Sequence, residues 1–422
     1  MNTTSAIPQV LHLSLILKGD LVDATGVRLG RVDDLVVRLG TDDYPPVSGV
    51  VADVAGREVF VPAERLGEIE HGRVTVSASR LDVRPFERRP QEILLDGDVL
   101  DRQLINIDGA RLVKANEIEI ARIDGWWRVV GVDVSLRGLA RRLLPRRLAP
   151  RMHLGTFIDW ASLEPFTGHI PTVRLRVPHP KLARLHPAEI ADIVEAASRQ
   201  ETHEILQALG DDPEREADLF EELEDELGAD LAEERSDSDI AELLARMETD
   251  DAADLLAALP DERREPVLEL LPSVLRRRIR TLLGYDPTTA GGLMSPDFIA
   301  VYTQATAAEA LDRLRHSSHP HEALIWVFVV NTHRRYRGAI PVARLLKADP
   351  ETLVAELVDH QRSVRPDADL EEIARLMTDY DLTIVPVVGN GDELLGTIVV
   401  DDVLELVIPN PWRRRFGLFG GE

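Results

Sequence analysis

Between Val364 and Val388 the chain reads VRPDADLEEIARLMTDYDLTIVPVV. Asp367, Asp369, Glu371, Glu372, Asp379 and Asp381 crowd one short apolar helix that runs into a buried-looking strand, with only Arg365 and Arg375 to offset them. Carboxylates at this density either cap helices and face water, or gather hard cations. The first use has a local signature. Asp369, followed three positions later by Glu372 and then by Ile373, Leu376 and Met377, has the spacing of a capping box. The second use gains weight from the chain as a whole: the net charge is −25, and residues 1–180 are neutral, so residues 181–422 carry all of it. Nucleic-acid phosphates need a basic surface, which excludes them as the partner of such a region. Cations fit it better.

Other chemistries find little support. There is no cysteine, so disulfides, thiolate metal sites and a cysteine nucleophile are excluded, as suits a reducing cytoplasm. No Gly-rich phosphate loop, His-Glu-x-x-His or serine elbow occurs, and the sequence is read as non-enzymatic. Among 12 histidines only His316, His319 and His321 cluster, in HSSHPHEA, which reads as a turn. The N-terminus lacks the pattern of a secretion signal, and no apolar run reaches the roughly 18 residues that span a bilayer. A cytoplasmic protein is expected, with membrane contact peripheral at most.

The elements that must position these carboxylates follow from periodicity. Residues 11 to about 170 are β-rich: GVRLGRVDDLVVRLG, PVSGVVADV, REVFVPAERL and RVTVSASRLDV are short Val-rich runs parted by Gly, Pro and Asp, the spacing of a small barrel or curled sheet. TGVRLGRVDDL (Thr25 to Leu35) matches DGARLVKANEI (Asp108 to Ile118) position by position, so two copies of one β unit are expected. The first copy resembles the PRC-barrel family through Asp23, Gly26, Leu29, Gly30, Arg31, Val32 and Asp33. The second keeps Gly109, Arg111 and Leu112 but has Val113 in place of the second glycine. That resemblance implies a docking module. Then LRGLARRLLPRRLAPRM (Leu136 to Met152) interleaves arginine with leucine, the texture of an arm for an acidic surface or an anionic membrane, although Pro145 interrupts any helix.

From about Pro180 leucines and alanines recur at three- and four-residue intervals, punctuated by Pro187, Pro213, Pro260 and Pro272. Short amphipathic helices of this kind stack to bury their stripes, so a helical superhelix is expected. Beyond Gly284, EALIWVFVV with AIPVARLLKAD, and LTIVPVV with LLGTIVVDDVLELV, repeat one helix, strand, turn, strand, helix layout.

These last 240 or so residues resemble the cytosolic part of an MgtE-type magnesium transporter, a helical N domain followed by two CBS modules. The resemblance rests on YDPTTAGGLMSPDFIAV (Tyr285 to Val301), PDADLEEIARLMTDYDLTIVPVV and GTIVVDDVLELV. The family's membrane channel follows the second CBS module, whereas this sequence stops at IPNPWRRRFGLFGGE; no pore is expected here. The resemblance implies Mg2+ ligands at Asp250 and Asp254 in TDDAADLL, at Asp369, Glu371, Asp381 and Asp402 in the CBS half, at the Gly292 carbonyl and, more loosely, at Asp218. Each has a bland alternative, since Asp250, Asp369 and Asp402 could simply cap helices. CBS pairs also imply an adenine nucleotide, here near Trp326, Leu382, Pro386 and Asp402. Val399 stands where the pattern has a hydroxyl, and Arg344 where the first module has its Asp.

The expected fold is multidomain α+β: N-terminal small β-barrel modules, a central α-helical superhelix and a C-terminal tandem CBS pair. The expected divisions are 1–90 and 91–175 for the β modules, 180–285 for the N domain, 286–350 and 351–410 for the CBS modules, and 411–422 for a tail. The expected function is magnesium sensing that regulates a membrane divalent-cation transporter in trans, as a homodimer through the CBS modules. A protein-interaction scaffold and a nucleotide-responsive CBS regulator are the alternatives. Multiple weak sites suit sensing: a half-saturated site contributes about 0.4 kcal/mol to the state that binds, and about five tilt a two-state equilibrium roughly thirtyfold.

Overall fold

The structure, a computed structural model, describes residues 10–40, 42–77, 86–135, 157–167, 180–209, 212–317, 322–359 and 362–408. The arginine-rich segment 136–152, His319, His321 and the tail 411–422 lie outside the described residues. The chain divides into two compact units, Met1–Asp211 and Asp212–Glu422.

The first unit is rich in strands: β1 (Val10–His12), a helical turn α1 (Leu13–Ile16), β2 (Asp20–Asp23), β3 (Arg28–Arg38), β4 (Val47–Val54), β5 (Arg57–Pro62), β6 (Leu66–Glu70) and β7 (Arg73–Val76). After these come β8 (Glu92–Leu94), a π-helical turn (Leu95–Val99), β9 (Gln103–Asn106), β10 (Arg111–Lys114), β11 (Glu117–Ile123), β12 (Trp126–Asp133), β13 (Phe157–Asp159) and β14 (Leu163–Pro165). Three sheets result, ordered β5-β4-β3-β2-β7-β6 with β8 on β3, β1-β11-β12-β13, and β10-β9-β14. Turn chemistry fixes the hairpins. Ala55-Gly56 joins β4 to β5 and Asp124-Gly125 joins β11 to β12, both pairs with φ between 50° and 85°, the left-handed two-residue turn that suits twisted strands. One apolar core runs through the strands from Leu11 to Leu163. Two helices complete the unit, α2 (Pro187–Ala196) and α3 (Arg199–Leu209). The buried Glu204 of α3 accepts the Thr167 N–H at 2.6 Å.

The second unit opens with six helices: α4 (Pro213–Glu222), α5 (Asp225–Glu233), α6 (Asp237–Leu244), α7 (Thr249–Ala258), α8 (Asp261–Leu270) and α9 (Ser273–Leu282). Asp212 and Ser236 cap α4 and α6 with side-chain oxygens, and Pro213 occupies the first turn of α4. Two similar α+β halves follow. The first is β15 (Ala300–Tyr302), α10 (Ala307–Arg315), β16 (Trp326–Val330), β17 (Tyr336–Pro341) and two short helices, α11 (Val342–Leu345) and α12 (Val354–Leu357). The second is α13 (Leu370–Tyr380), β18 (Ile384–Val388), β19 (Leu394–Val399) and α14 (Val400–Val407). The halves meet where the Tyr336 N–H bonds Asp392 O at 2.7 Å and where Phe328, Ala339 and Ile384 form a small shared core.

Candidate cation site

The first turn of α7 concentrates charge. Glu248 precedes the helix, and Asp250 and Asp251 occupy its first turn, where the unsatisfied N–H groups favour carboxylates. One oxygen from each of these three residues lies within 4.8 Å of the others. Thr249 anchors the turn by donating its hydroxyl to Asp297 at 2.6 Å, and Arg278 neutralises Asp297 at 2.5 Å. No ion pair among the described residues does the same for Glu221, Asp250, Asp251 or Asp254. Asp250 Oδ1 is buried and accepts no hydrogen bond among the described residues. A bare carboxylate oxygen sealed from water is costly, unless a proton or a cation completes it.

The pKa values record that cost. Burial, with the charges of Asp297 and Asp401 adding to it, pushes the Asp250 carboxyl up to about 6 against the Ser295 hydrogen bond. Burial raises Asp251 as well, helped by Asp250, Glu221, Glu248 and Asp402. Glu221, at the end of α4, rises to about 7 through burial and then the Asp218 and Asp250 charges, although it accepts the Glu248 N–H at 2.7 Å. Asp254 stands one turn further along α7 and reaches about 7, first by burial and then through Asp225 and Asp250. Asp254 and Asp225 are both exposed at the rim, so water screens part of that shift. Glu221, Asp225, Asp251 and Asp254 line a cavity of about 20 Å³ between Phe220, Leu223, Gly228 and Leu255. From the second α+β half, Asp401 and Asp402 enter from the first turn of α14. The site is therefore acidic from two sides.

Of the residues expected from sequence, Asp250 and Asp254 lie within electrostatic reach of each other, Asp218 within reach of Glu221, and Asp402 within reach of Asp251. Asp369, Glu371 and Asp381 have other places. Asp369 caps α13 by accepting the Glu372 N–H at 2.8 Å, Glu371 pairs with Arg375 at 2.6 Å, and Asp381 ends the helix in the left-handed region with φ 51°. All three are exposed. Gly292 sits in a turn closed by its N–H to Thr289 O at 2.9 Å. A Cβ there would lie 2.4 Å from Asp286 O, so only glycine fits. Sequence reading passed over Glu221, Glu248, Asp251 and Asp401. The doubled acids in TDDAADLL and VVDDVLEL are the available signal, since the charge of Asp401 reaches Asp250 and that of Asp402 reaches Asp251.

In the neighbouring α+β pair, Trp326 Nε1 and the Tyr336 hydroxyl are buried without a hydrogen-bond partner among the described residues. Pro386 is buried in β18 and Leu382 half-buried just before it. Arg344 is engaged with Asp359 at 2.7 Å.

A chain of short stacked helices leading into two α+β halves, with carboxylates massed where they meet, defines a class: a helical domain joined to a tandem α+β pair. The profile of the MgtE intracellular N domain matches residues 185–288, and the CBS domain matches residues 290–351 and 354–409. The magnesium transporter MgtE of Thermus thermophilus is 40% identical over 133 residues, 31% of this chain and 30% of that protein. The MgtE of Enterococcus faecalis is 32% identical over 130 residues, 31% of this chain and 29% of that one. A crystal structure of the cytosolic domain of the Mg2+ channel MgtE in complex with ATP superposes with a TM-score of 0.51 at 32% identity, covering 53% of this chain and 92% of that one. The chain belongs to the MgtE family through its N domain and CBS pair. It spans about 30% of the length of the curated relatives it matches. No helix among the described residues is long and apolar enough to cross a membrane.

Proposed function

We propose that this protein is a magnesium-responsive regulatory protein whose helical domain and CBS pair close on Mg2+ bound by Asp250, Asp251, Glu221, Asp254, Asp218 and the Asp401–Asp402 turn. The carrying observation is the buried, partnerless Asp250 Oδ1 within a field of carboxylates from two domains. Magnesium prefers oxygen ligands and retains several waters, so one or two carboxylates per ion suffice. Without it, like charges push the domains apart; with it, they are held together. The relatives named as magnesium transporters support the choice of ion. On this reading the protein works in the cytoplasm, as a homodimer through its CBS modules, and modulates a membrane divalent-cation transporter. The β strands or the arginine-rich segment would supply the docking element. Asp369, Glu371 and Asp381 contribute to helix capping and solvation rather than to the central site.

Calorimetric titration of the full chain with MgCl2 tests this reading, with NaCl of matched ionic strength as control. Saturable binding in the millimolar range, abolished by Asp250→Asn with Asp251→Asn, is expected. Heats no larger than the salt control would refute it and favour a protein-interaction scaffold. A second reading, an adenine nucleotide held in the CBS pair, draws on the two buried donors without partners, Trp326 Nε1 and the Tyr336 hydroxyl. Protection of the chain from thermal unfolding by ATP, lost in Trp326→Leu, is the outcome that this reading requires.

A further inference from the structure

The β region contains a reciprocity that goes beyond the cation reading. Thr25–Leu35 and Asp108–Ile118 are matching segments, and they build matching hairpins. Asp23 Oδ1 accepts the Thr25 and Val27 N–H groups at 2.8 and 2.9 Å in the β2–β3 turn, and Asn106 Oδ1 accepts the Gly109 N–H at 3.3 Å in the β9–β10 turn. Each hairpin is preceded by a short strand and a helical turn, yet neither strand joins its own repeat. β1 pairs with β11 of the second repeat in the register Leu11↔Ile120, and β8 pairs with β3 of the first in the register Val37↔Ile93.

The helical turns are held crosswise in the same way. Glu117, buried at the start of β11, accepts the Ser14 N–H at 3.1 Å on Oε1 and the Ser14 hydroxyl on Oε2. Asp34, buried in β3, accepts the Asp96 and Gly97 N–H groups at 2.9 and 3.0 Å. Asp34 and Glu117 occupy the same position of the repeated segment, and Ser14 and Gly97 stand as far apart in the chain as they do. Leucines and valines of both repeats share one core.

We propose that strands β1 to β14 form a single interlaced module, an intramolecular two-fold pair in which each repeat lends its leading strand and turn to the other and Asp34 and Glu117 are the paired latches. The surface that each repeat presents fits one kind of partner, a second copy of the same repeat, supplied here by the same chain.

Hydrogen exchange on the full chain tests the latches. Charge-assisted bonds to a carboxylate are strong enough that losing the charge changes local opening by about tenfold. Glu117→Gln is expected to speed exchange at Ser14 to Leu17 in the first repeat. Asp34→Asn is expected to speed it at Asp96 and Gly97 in the second. Effects confined to the substituted repeat, or no effect, would overturn the proposal. The chain has no cysteine, so His12→Cys with Glu119→Cys, cross-strand partners in β1 and β11, gives an independent reading in a folded protein. A disulfide within one chain is expected at dilute concentration. No disulfide, or one that joins two chains, would contradict the interlacing.

Discussion

Asp250 carries the account at the level of single residues. Its carboxyl is raised to about 6, and those of Glu221 and Asp254 to about 7, so the folded state binds protons more tightly than the unfolded chain does. Stability contributed by such groups is present at low pH and is lost as pH rises through their folded values. In chelator, thermal melts should therefore show stability falling between about pH 5 and pH 8, by about 1 to 3 kcal/mol after allowance for the partly solvated rim. About 10 mM Mg2+ should flatten that slope, because the cation replaces the protons. Asp250→Asn should raise stability in chelator by about 1 kcal/mol, since it removes a buried charge rather than a partner. A loss of stability in chelator would show that the carboxylate has a structural role instead. Of the proposed ligands, Asp250, Asp254 and Asp402 are reached from sequence through the family resemblance. Asp251 and Glu221 are not, since their charge matters only once α4 and α7 have been packed against each other.

At the scale of elements, caps and close approaches separate structure from sensing. Asp369 caps α13, and Asp369→Ala should cost about 1 kcal/mol in chemical denaturation. It should leave the magnesium-dependent shift intact, whereas the Asp250 and Asp251 substitutions should do the reverse. A magnesium response abolished by Asp369→Ala would return that residue to the site. In β3, a Cβ on Gly30 would lie 2.2 Å from Asp53 O, so Gly30→Val should destabilise the β module by about 2 to 4 kcal/mol, read from urea midpoints. The second repeat has Val113 at the matching position, and there the long strand is divided into β10 and β11 on either side of Ala115 and Asn116. Strand and helix content was legible from periodicity and turn residues. The exchange of β1 and β8 was not, because strand pairing is decided by which edge is free in three dimensions and leaves no trace in alternation.

For the whole molecule, the division of charge seen in the sequence has a physical consequence. The acidic excess lies entirely in residues 181–422, the part that contains the helices and the CBS pair, so electrostatic repulsion is concentrated in the region that is proposed to open. Fold class was legible there because stacked amphipathic helices and a duplicated α+β unit both have sequence periods. The partner was not, since a docking surface has no required spacing. The central claim is that Mg2+, and not ionic strength, holds the helical domain and the CBS pair together. Small-angle X-ray scattering with parallel limited proteolysis, at zero and about 10 mM Mg2+ with NaCl matched for ionic strength, tests it most directly. The account predicts compaction with protection of residues 259–297 in Mg2+ alone, lost in Asp250→Asn with Asp251→Asn. Equal dimensions and equal cleavage in Mg2+ and in matched NaCl would contradict it.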